Sequence, residues 1–178
     1  MAKLGQSLGE PQERRGKVDV EVGLAGAKGL GVFAARGFVR GETVIEGKAI
    51  RYPTHRTRTS VQLDWERHVE MDAPATLLNH SCAPNLGVRE NQWSAYDFVA
   101  LRDILAGEEL AFDYAMTEHC LVARLSCRCG GVTCQGEILP WSARDPQWRE
   151  ENAMWVARYL HLATELAPAQ RPGPWLNR

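Results

Sequence analysis

The segment Asn79-His80-Ser81-Cys82-Ala83-Pro84-Asn85, set directly after the apolar pair Leu77-Leu78, constrains this chain more than any other stretch. It is too polar for an ordinary core strand. Beside two leucines each of its polar groups needs a partner, and such a demand is met by a ligand or by another backbone segment lying against the run. Two further dense stretches follow it in order: Gly107-Glu108-Glu109-Leu110-Ala111-Phe112-Asp113-Tyr114, then Cys127-Arg128-Cys129-Gly130-Gly131-Val132-Thr133-Cys134-Gln135-Gly136.

At 178 residues and 44% hydrophobic content the chain can bury one core without staples. It carries 21 basic and 22 acidic residues, a formal net charge of −1, with no block of like charges. That balance argues against a general polyanion binder, so no direct nucleic-acid binding is expected. No apolar run approaches the roughly 20 residues that span a bilayer, and the opening Met1-Ala2-Lys3-Leu4-Gly5-Gln6-Ser7 lacks the apolar core of a signal peptide. The expectation is an intracellular protein, cytoplasmic or, in a eukaryote, nuclear, without a membrane partner. Five cysteines, an odd number with three crowded between 127 and 134, fit metal binding in a reducing compartment better than a disulfide framework.

Residues 1–16 read as a disordered leader. Val18 to Val22 alternates with period two and predicts a strand ending at Gly23. Gly41-Glu42 and Gly107-Glu108 each follow an apolar approach and precede an apolar strand, a weak internal repeat that predicts two similar turns. Neither these glutamates nor Glu109 is given a catalytic role. Residues 51–70 are polar and poorly periodic, with Val61, Leu63, Trp65 and Val69 as anchors. His55, His68, His119 and His161 have no ligand-like spacing and read as surface or capped histidines. Trp93 to Asp103 is apolar on both faces and predicts a buried strand. Asp145-Pro146 opens an amphipathic pattern through Trp148, Trp155, Tyr159, Leu162 and Leu166, read as one C-terminal helix over 142–167. Residues 168–178 read as a loose tail. A monomer is expected, with dimerisation through the helix stripe as the alternative.

Cys127, Cys129 and Cys134 supply three thiolates within eight residues, and the intervening glycines allow the tight folding that aims them at one ion. A closed structural Zn²⁺ site takes four ligands, and by spacing the fourth is Cys82 or Cys120.

An NHSCxPN segment, a GEELxFDY segment and C-x-C-x4-C-x-G in this order, with Lys28-Gly29-Leu30-Gly31-Val32-Phe33-Ala34 upstream, resemble the SET domain protein-lysine methyltransferases that carry a post-SET zinc segment. The resemblance covers about residues 18–140. It implies a mainly β fold, the β-clip, with small curved sheets, in which residues 79–85 thread beneath the 107–114 loop in a pseudoknot. The SET domain would span 17–118 and the cysteine-rich post-SET segment 119–141. It further implies S-adenosylmethionine held by Lys28, Gly29, Leu30, Gly31, Asn79, His80 and Tyr114, and Zn²⁺ held by Cys82, Cys127, Cys129 and Cys134. Where family members often carry an aromatic between the two loop glycines, this chain has Leu30. Tyr114 is implied as the catalytic hydroxyl, and Phe112, Tyr96 and Trp65 as the lysine channel.

The activity implied is methyl transfer to a lysine ε-amine of a protein or peptide, histone or other. With Phe112 rather than a tyrosine there, dimethyl or trimethyl products are expected. Two other functions fit the same resemblance: methylation of a small-molecule or non-chromatin peptide amine, and a non-catalytic, zinc-stabilised interaction module. Retention of Asn79, His80 and Tyr114 together counts against the last, since a binding module needs none of them.

Overall fold

The computed structural model describes residues 19–165, with side chains to 162. The segments 1–16 and 168–178, read above as leader and tail, lie outside the described residues. Twelve short strands are found there: β1 (Val20–Leu24), β2 (Leu30–Ala34), β3 (Thr43–Glu46), β4 (Ala49–Arg51), β5 (Val61–Gln62), β6 (His68–Met71), β7 (Asn79–His80), β8 (Leu86–Glu90), β9 (Tyr96–Ala100), β10 (Glu109–Phe112), β11 (Leu125–Ser126) and β12 (Glu137–Ile138). Two short helices close the described chain, α1 (Pro146–Glu151) and α2 (Arg158–Glu165). The mainly β architecture of small sheets is as expected.

The largest sheet runs in the order β1-β2-β10-β8-β9-β3, and β7 also pairs with β10. Its apolar positions meet in one core, where Val32, Leu86, Val88, Phe98 and Leu110 are fully enclosed. The buried strand predicted between Trp93 and Asp103 is β9, paired on its two edges with β8 and β3 and buried along most of both faces.

The polar run finds its partners on β10. Asn79 and His80 lie parallel to Ala111 and Phe112, and Leu86 at the start of β8 pairs with Phe112 as well. Between them the Ser81 amide donates to the Phe112 carbonyl at 3.0 Å and the Asn85 amide to Ala111 at 3.2 Å. Buried Asn85 completes the crossing: its Nδ2 donates to Glu109 O at 2.8 Å and its Oδ1 accepts the Ala111 amide at 2.9 Å. One amide side chain thus substitutes for missing ladder bonds on both sides.

The two Gly-Glu turns are built alike and pair with each other. Gly41 and Gly107 have φ of +87° and +88°, which a side chain would strain. Glu42 accepts the Val39 amide and is paired with Arg36; Glu108 accepts the Leu105 amide and is paired with Arg102. The hydrogen bond from each arginine holds its glutamate below the usual carboxylate range. Phe38 and Ile104, each preceding its turn, exchange backbone hydrogen bonds at 2.9 Å.

One reading is extended and one is corrected. Residues 51–70 are mostly irregular, in keeping with their poor periodicity, but with the neighbouring residues they contribute short strands to a three-stranded sheet, β4-β6-β5, burying Val69 and Met71. Strands of two to four residues are too short for a period of two to show. The C-terminal segment is not one helix over 142–167. Asp145 caps α1 by accepting the Trp148 amide, but the chain leaves the helix at Asn152 and Val156 is extended. The break lets the Ala157 amide donate to the Met116 carbonyl at 2.7 Å and seats Trp155 over Gly87, where a Cβ would meet it at 2.7 Å. Tyr159 and Leu160 then face the protein's own core.

Candidate active site and cysteine cluster

Phe112 ends β10 and Tyr114 begins a single turn of 3-10 helix, Tyr114–Met116, capped by Asp113, whose carboxylate accepts the Ala115 amide at 3.0 Å. The two rings pack with centroids 5.1 Å apart, and Phe98 lies 5.2 Å behind Phe112. Both line a cavity of about 270 Å³ together with Leu78, the segment Arg56 to Val61, and residues between Leu121 and Leu125. The Tyr114 hydroxyl donates to the Leu78 carbonyl at 3.3 Å. With its proton so directed, the oxygen keeps lone pairs for an N–H entering the cavity. Burial, reinforced by the Glu118 carboxylate, pushes the phenol up to about 12, so the group is a neutral hydroxyl at ordinary pH.

The glycine loop lies across β10 from this cavity. Lys28 is ion-paired with Glu109, and Asn79 Nδ2 donates both to the Leu30 carbonyl at 2.9 Å and to Glu109 at 3.0 Å. Gly31 is required here, since a Cβ would sit 2.9 Å from Asn79 Nδ2 and 2.8 Å from the Ala25 side chain. Gly29 has φ +88° with open space where a Cβ would stand, and Leu30 is half exposed beside it. The loop therefore presents open backbone and one apolar side chain outward, a surface that fits an adenosyl group. Glu109 holds the lysine, the asparagine and the loop in register. No sequence signal distinguished it from the turn glutamates.

Cys82, Cys127, Cys129 and Cys134 come together with all four sulfurs within 4.8 Å of one another. Tetrahedral binding at about 2.3 Å per Zn–S bond needs sulfurs a little under 4 Å apart, so the four thiols fit such an ion. Cys120 stands apart from this set; its carbonyl accepts from Arg56 at 2.7 Å. His80 is buried between the cluster and Tyr114. Its Nδ1 accepts the Tyr114 amide at 3.3 Å, which leaves the proton of the neutral ring on Nε2, 3.4 Å from Cys82 Sγ. Burial, with the Arg144 and Lys28 cations, lowers this imidazole to about 4 and keeps it neutral.

Two of the expected channel residues are not in the cavity wall. Tyr96 is fully enclosed and donates its hydroxyl to the Gln62 carbonyl at 2.6 Å. Trp65 packs edge-on against His119 and Tyr159, with ring centroids 4.8 and 5.3 Å away. Both side chains brace the β5–β6 sheet instead. His68, read as a surface or capped residue, is buried and accepts from Arg56 Nε at 3.0 Å. Two buried ion pairs also support the site: Arg144 with Asp113, directly beside Tyr114, and Arg56 with Glu118 at 3.0 Å, in the cavity wall. Asp113 therefore holds a distant arginine and its own helical turn. Among the described residues no helix is long and apolar enough to cross a membrane.

A crossed pair of parallel strands holding an asparagine and a histidine, a tyrosine at the mouth of an apolar cavity and a four-thiol cluster define a chain of the SET type. The SET domain family matches residues 29–115, and this part of the chain is a SET domain. Among curated relatives it is 30% identical to "Histone-lysine N-methyltransferase ATX2" of Arabidopsis thaliana over 70% of this chain and 13% of that protein. It is 35% identical to "Methyltransferase flvH" of Aspergillus flavus over 47% of this chain and 46% of that one. The chain thus spans less than half the length of either. The structure of KRYPTONITE in complex with mCHG DNA and SAH matches with a TM-score of 0.55 at 24% identity, covering 67% of this chain and 29% of that one, a likeness of fold. Because that neighbour is a DNA complex, the expectation of no nucleic-acid contact draws no support from it.

Proposed function

We propose that the protein transfers methyl groups from S-adenosylmethionine to a lysine ε-amine of a protein or peptide substrate inside the cell. The observation that carries this reading is Tyr114, a neutral hydroxyl oriented by the Leu78 carbonyl at the end of a cavity walled by Phe112 and Leu78. The names of the curated relatives support it, ATX2 being a histone-lysine methyltransferase.

S-adenosylmethionine supplies a methyl group on a positively charged sulfur. Gly29, Leu30, Gly31 and Asn79 would hold it on the loop side of β10, with Lys28 and Glu109 fixing the loop, and His80 fixing the adjoining backbone. A lysine entering from the cavity side has an ordinary pKa of about 10.4. Apolar walls disfavour its charged form, so it sheds a proton to solvent before or during entry. Tyr114 then accepts one amine N–H and turns the nitrogen lone pair along the axis of transfer. Alignment of this kind supplies much of the rate without a strong base. Phe112 adds no hydroxyl to the cavity, which leaves room for a second or third methyl group. Cys82, Cys127, Cys129 and Cys134 would hold Zn²⁺ and so pin residues 121–125 over the cavity.

Labelled S-adenosylmethionine incubated with the protein and a panel of histones, lysate proteins and free amines, followed by mapping of the modified atom, tests the reading. Label on a lysine Nζ that vanishes with Tyr114→Phe is expected. Absence of label on every acceptor, with cofactor bound, would instead favour the interaction module.

A further inference from the structure

The charges around the cavity do not balance. Arg56 and Glu118 cancel each other at 3.0 Å, and Glu118 also accepts the Gln62 amide at 2.8 Å. Arg58, two residues from Arg56 on the same wall, is exposed and makes no hydrogen bond or ion pair among the described residues. The acid nearest in sequence, Asp64, is already paired with Arg67 at 2.6 Å, and Glu70 is occupied by Arg51 and by the Thr57 hydroxyl at 2.6 Å. Most other arginines of the sheets are matched: Arg36, Arg51, Arg67, Arg89 and Arg102 each hold a carboxylate within 3.1 Å. Beside Arg58, Thr59 offers an exposed hydroxyl with no partner among the described residues. The guanidinium is close enough for its charge to act on the Tyr114 phenol, drawing it down against the stronger effect of burial.

We propose that Arg58 is a carboxylate-recognising residue at the cavity rim, so that the preferred substrate carries an acidic group close to the amine that is methylated. The inference rests on the methyl-transfer reading and names its substrate class. A guanidinium presents a fixed fork of donors that matches a carboxylate in two parallel hydrogen bonds. An extended peptide advances about 3.4 Å per residue, so a side chain one or two residues from the target lysine would meet Arg58 while the lysine occupies the cavity. The carboxylate has two possible sources, an Asp or Glu of a peptide or the carboxylate of a small amino acid such as free lysine. A rim charge acts on recognition and on the salt dependence of encounter more than on the chemical step.

The test uses the full chain and lysine peptides in which the residues from three before to three after the target are Glu, Gln or Lys in turn, with free lysine as a separate arm. Binding by fluorescence anisotropy and methylation by mass spectrometry are both read at low and high salt. The expected result is tighter binding and higher kcat/KM for a glutamate-flanked peptide, by about fivefold at low salt and less at high salt. Arg58→Glu should invert the order to favour the lysine-flanked peptide, while Arg58→Lys, which keeps the charge without the fork, should keep the order with a smaller preference. Methylation of free lysine above all peptides, with the same dependence on Arg58, would place the carboxylate on a small molecule. Methylation with no preference, or a preference unmoved by Arg58→Glu, overturns the inference and leaves methyl transfer standing. Arg58-dependent binding of the acidic peptide without any methylation upholds carboxylate recognition by Arg58 and overturns the activity.

Discussion

The backbone amide of Tyr114 donates to Nδ1 of His80 at 3.3 Å, and the two rings stand edge to face with centroids 5.3 Å apart. Since Nε2 of the same imidazole lies 3.4 Å from Cys82 Sγ, the cysteine cluster and the tyrosine are joined through one side chain. Partners of this outer kind orient metal ligands and are felt in affinity and activity. The purified protein should therefore carry one Zn²⁺ per chain, and chelation should lower methyl transfer. Metal analysis should show loss in Cys82→Ser and retention in Cys120→Ser; the reverse pattern would overturn the ligand set.

Tyr114→Phe removes only the oriented hydroxyl. It should leave S-adenosylmethionine binding by calorimetry nearly unchanged and reduce kcat by about a hundredfold or more, the usual cost of one positioned polar group at the reacting centre. Undiminished turnover in this variant would remove Tyr114 from the mechanism.

Phe112 shares the cavity wall with Tyr114 and is almost fully buried. The wild type should reach dimethyl or trimethyl product, and Phe112→Tyr should shift the mixture toward monomethyl lysine, a discrimination of about 1 to 3 kcal/mol. A mass-spectrometric time course reads this. A wild type that halts at one methyl group with cofactor in excess would show that the space is already filled.

Arg144 meets Asp113 with both side chains buried, which fastens the C-terminal segment behind Tyr114. Arg144→Leu strands a buried carboxylate, and urea unfolding should show a loss of about 3 to 5 kcal/mol. Adding Asp113→Asn should restore part of it. If the single variant is as stable as the wild type, the pair is not holding this segment.

His68 has its imidazole lowered to about 4, by burial first and then by the Arg56 cation. Its folded pKa is below the unfolded value near 6.5, so the unfolded chain binds the extra proton between these values. The contribution is fully present above about pH 6.5 and is lost as pH falls through about 4, up to about 3 kcal/mol. His68→Gln keeps an acceptor for Arg56 without titrating, and its stability should fall less steeply over that window. Parallel pH curves for the two proteins would exclude His68 as the source.

The sequence by itself determined the chemistry that is local in the chain. The polar run Asn79 to Asn85, the two Gly-Glu turns and the trio Cys127, Cys129 and Cys134 were legible because each requirement, a partner for every polar group, a positive φ or three thiolates in reach of one ion, is written within a few residues. The tertiary structure decided everything that depends on two distant segments meeting. It selected Cys82 over Cys120 beside the trio, gave Glu109 to Lys28 and Asn79, gave Arg144 to Asp113, and moved Tyr96 and Trp65 out of the cavity wall. It also broke the C-terminal helix, because the Ala157 amide found the Met116 carbonyl and Trp155 found the bare backbone at Gly87. Helical spacing records which residues can share a face; packing against β8 and the turn after Tyr114 decides where that face must bend.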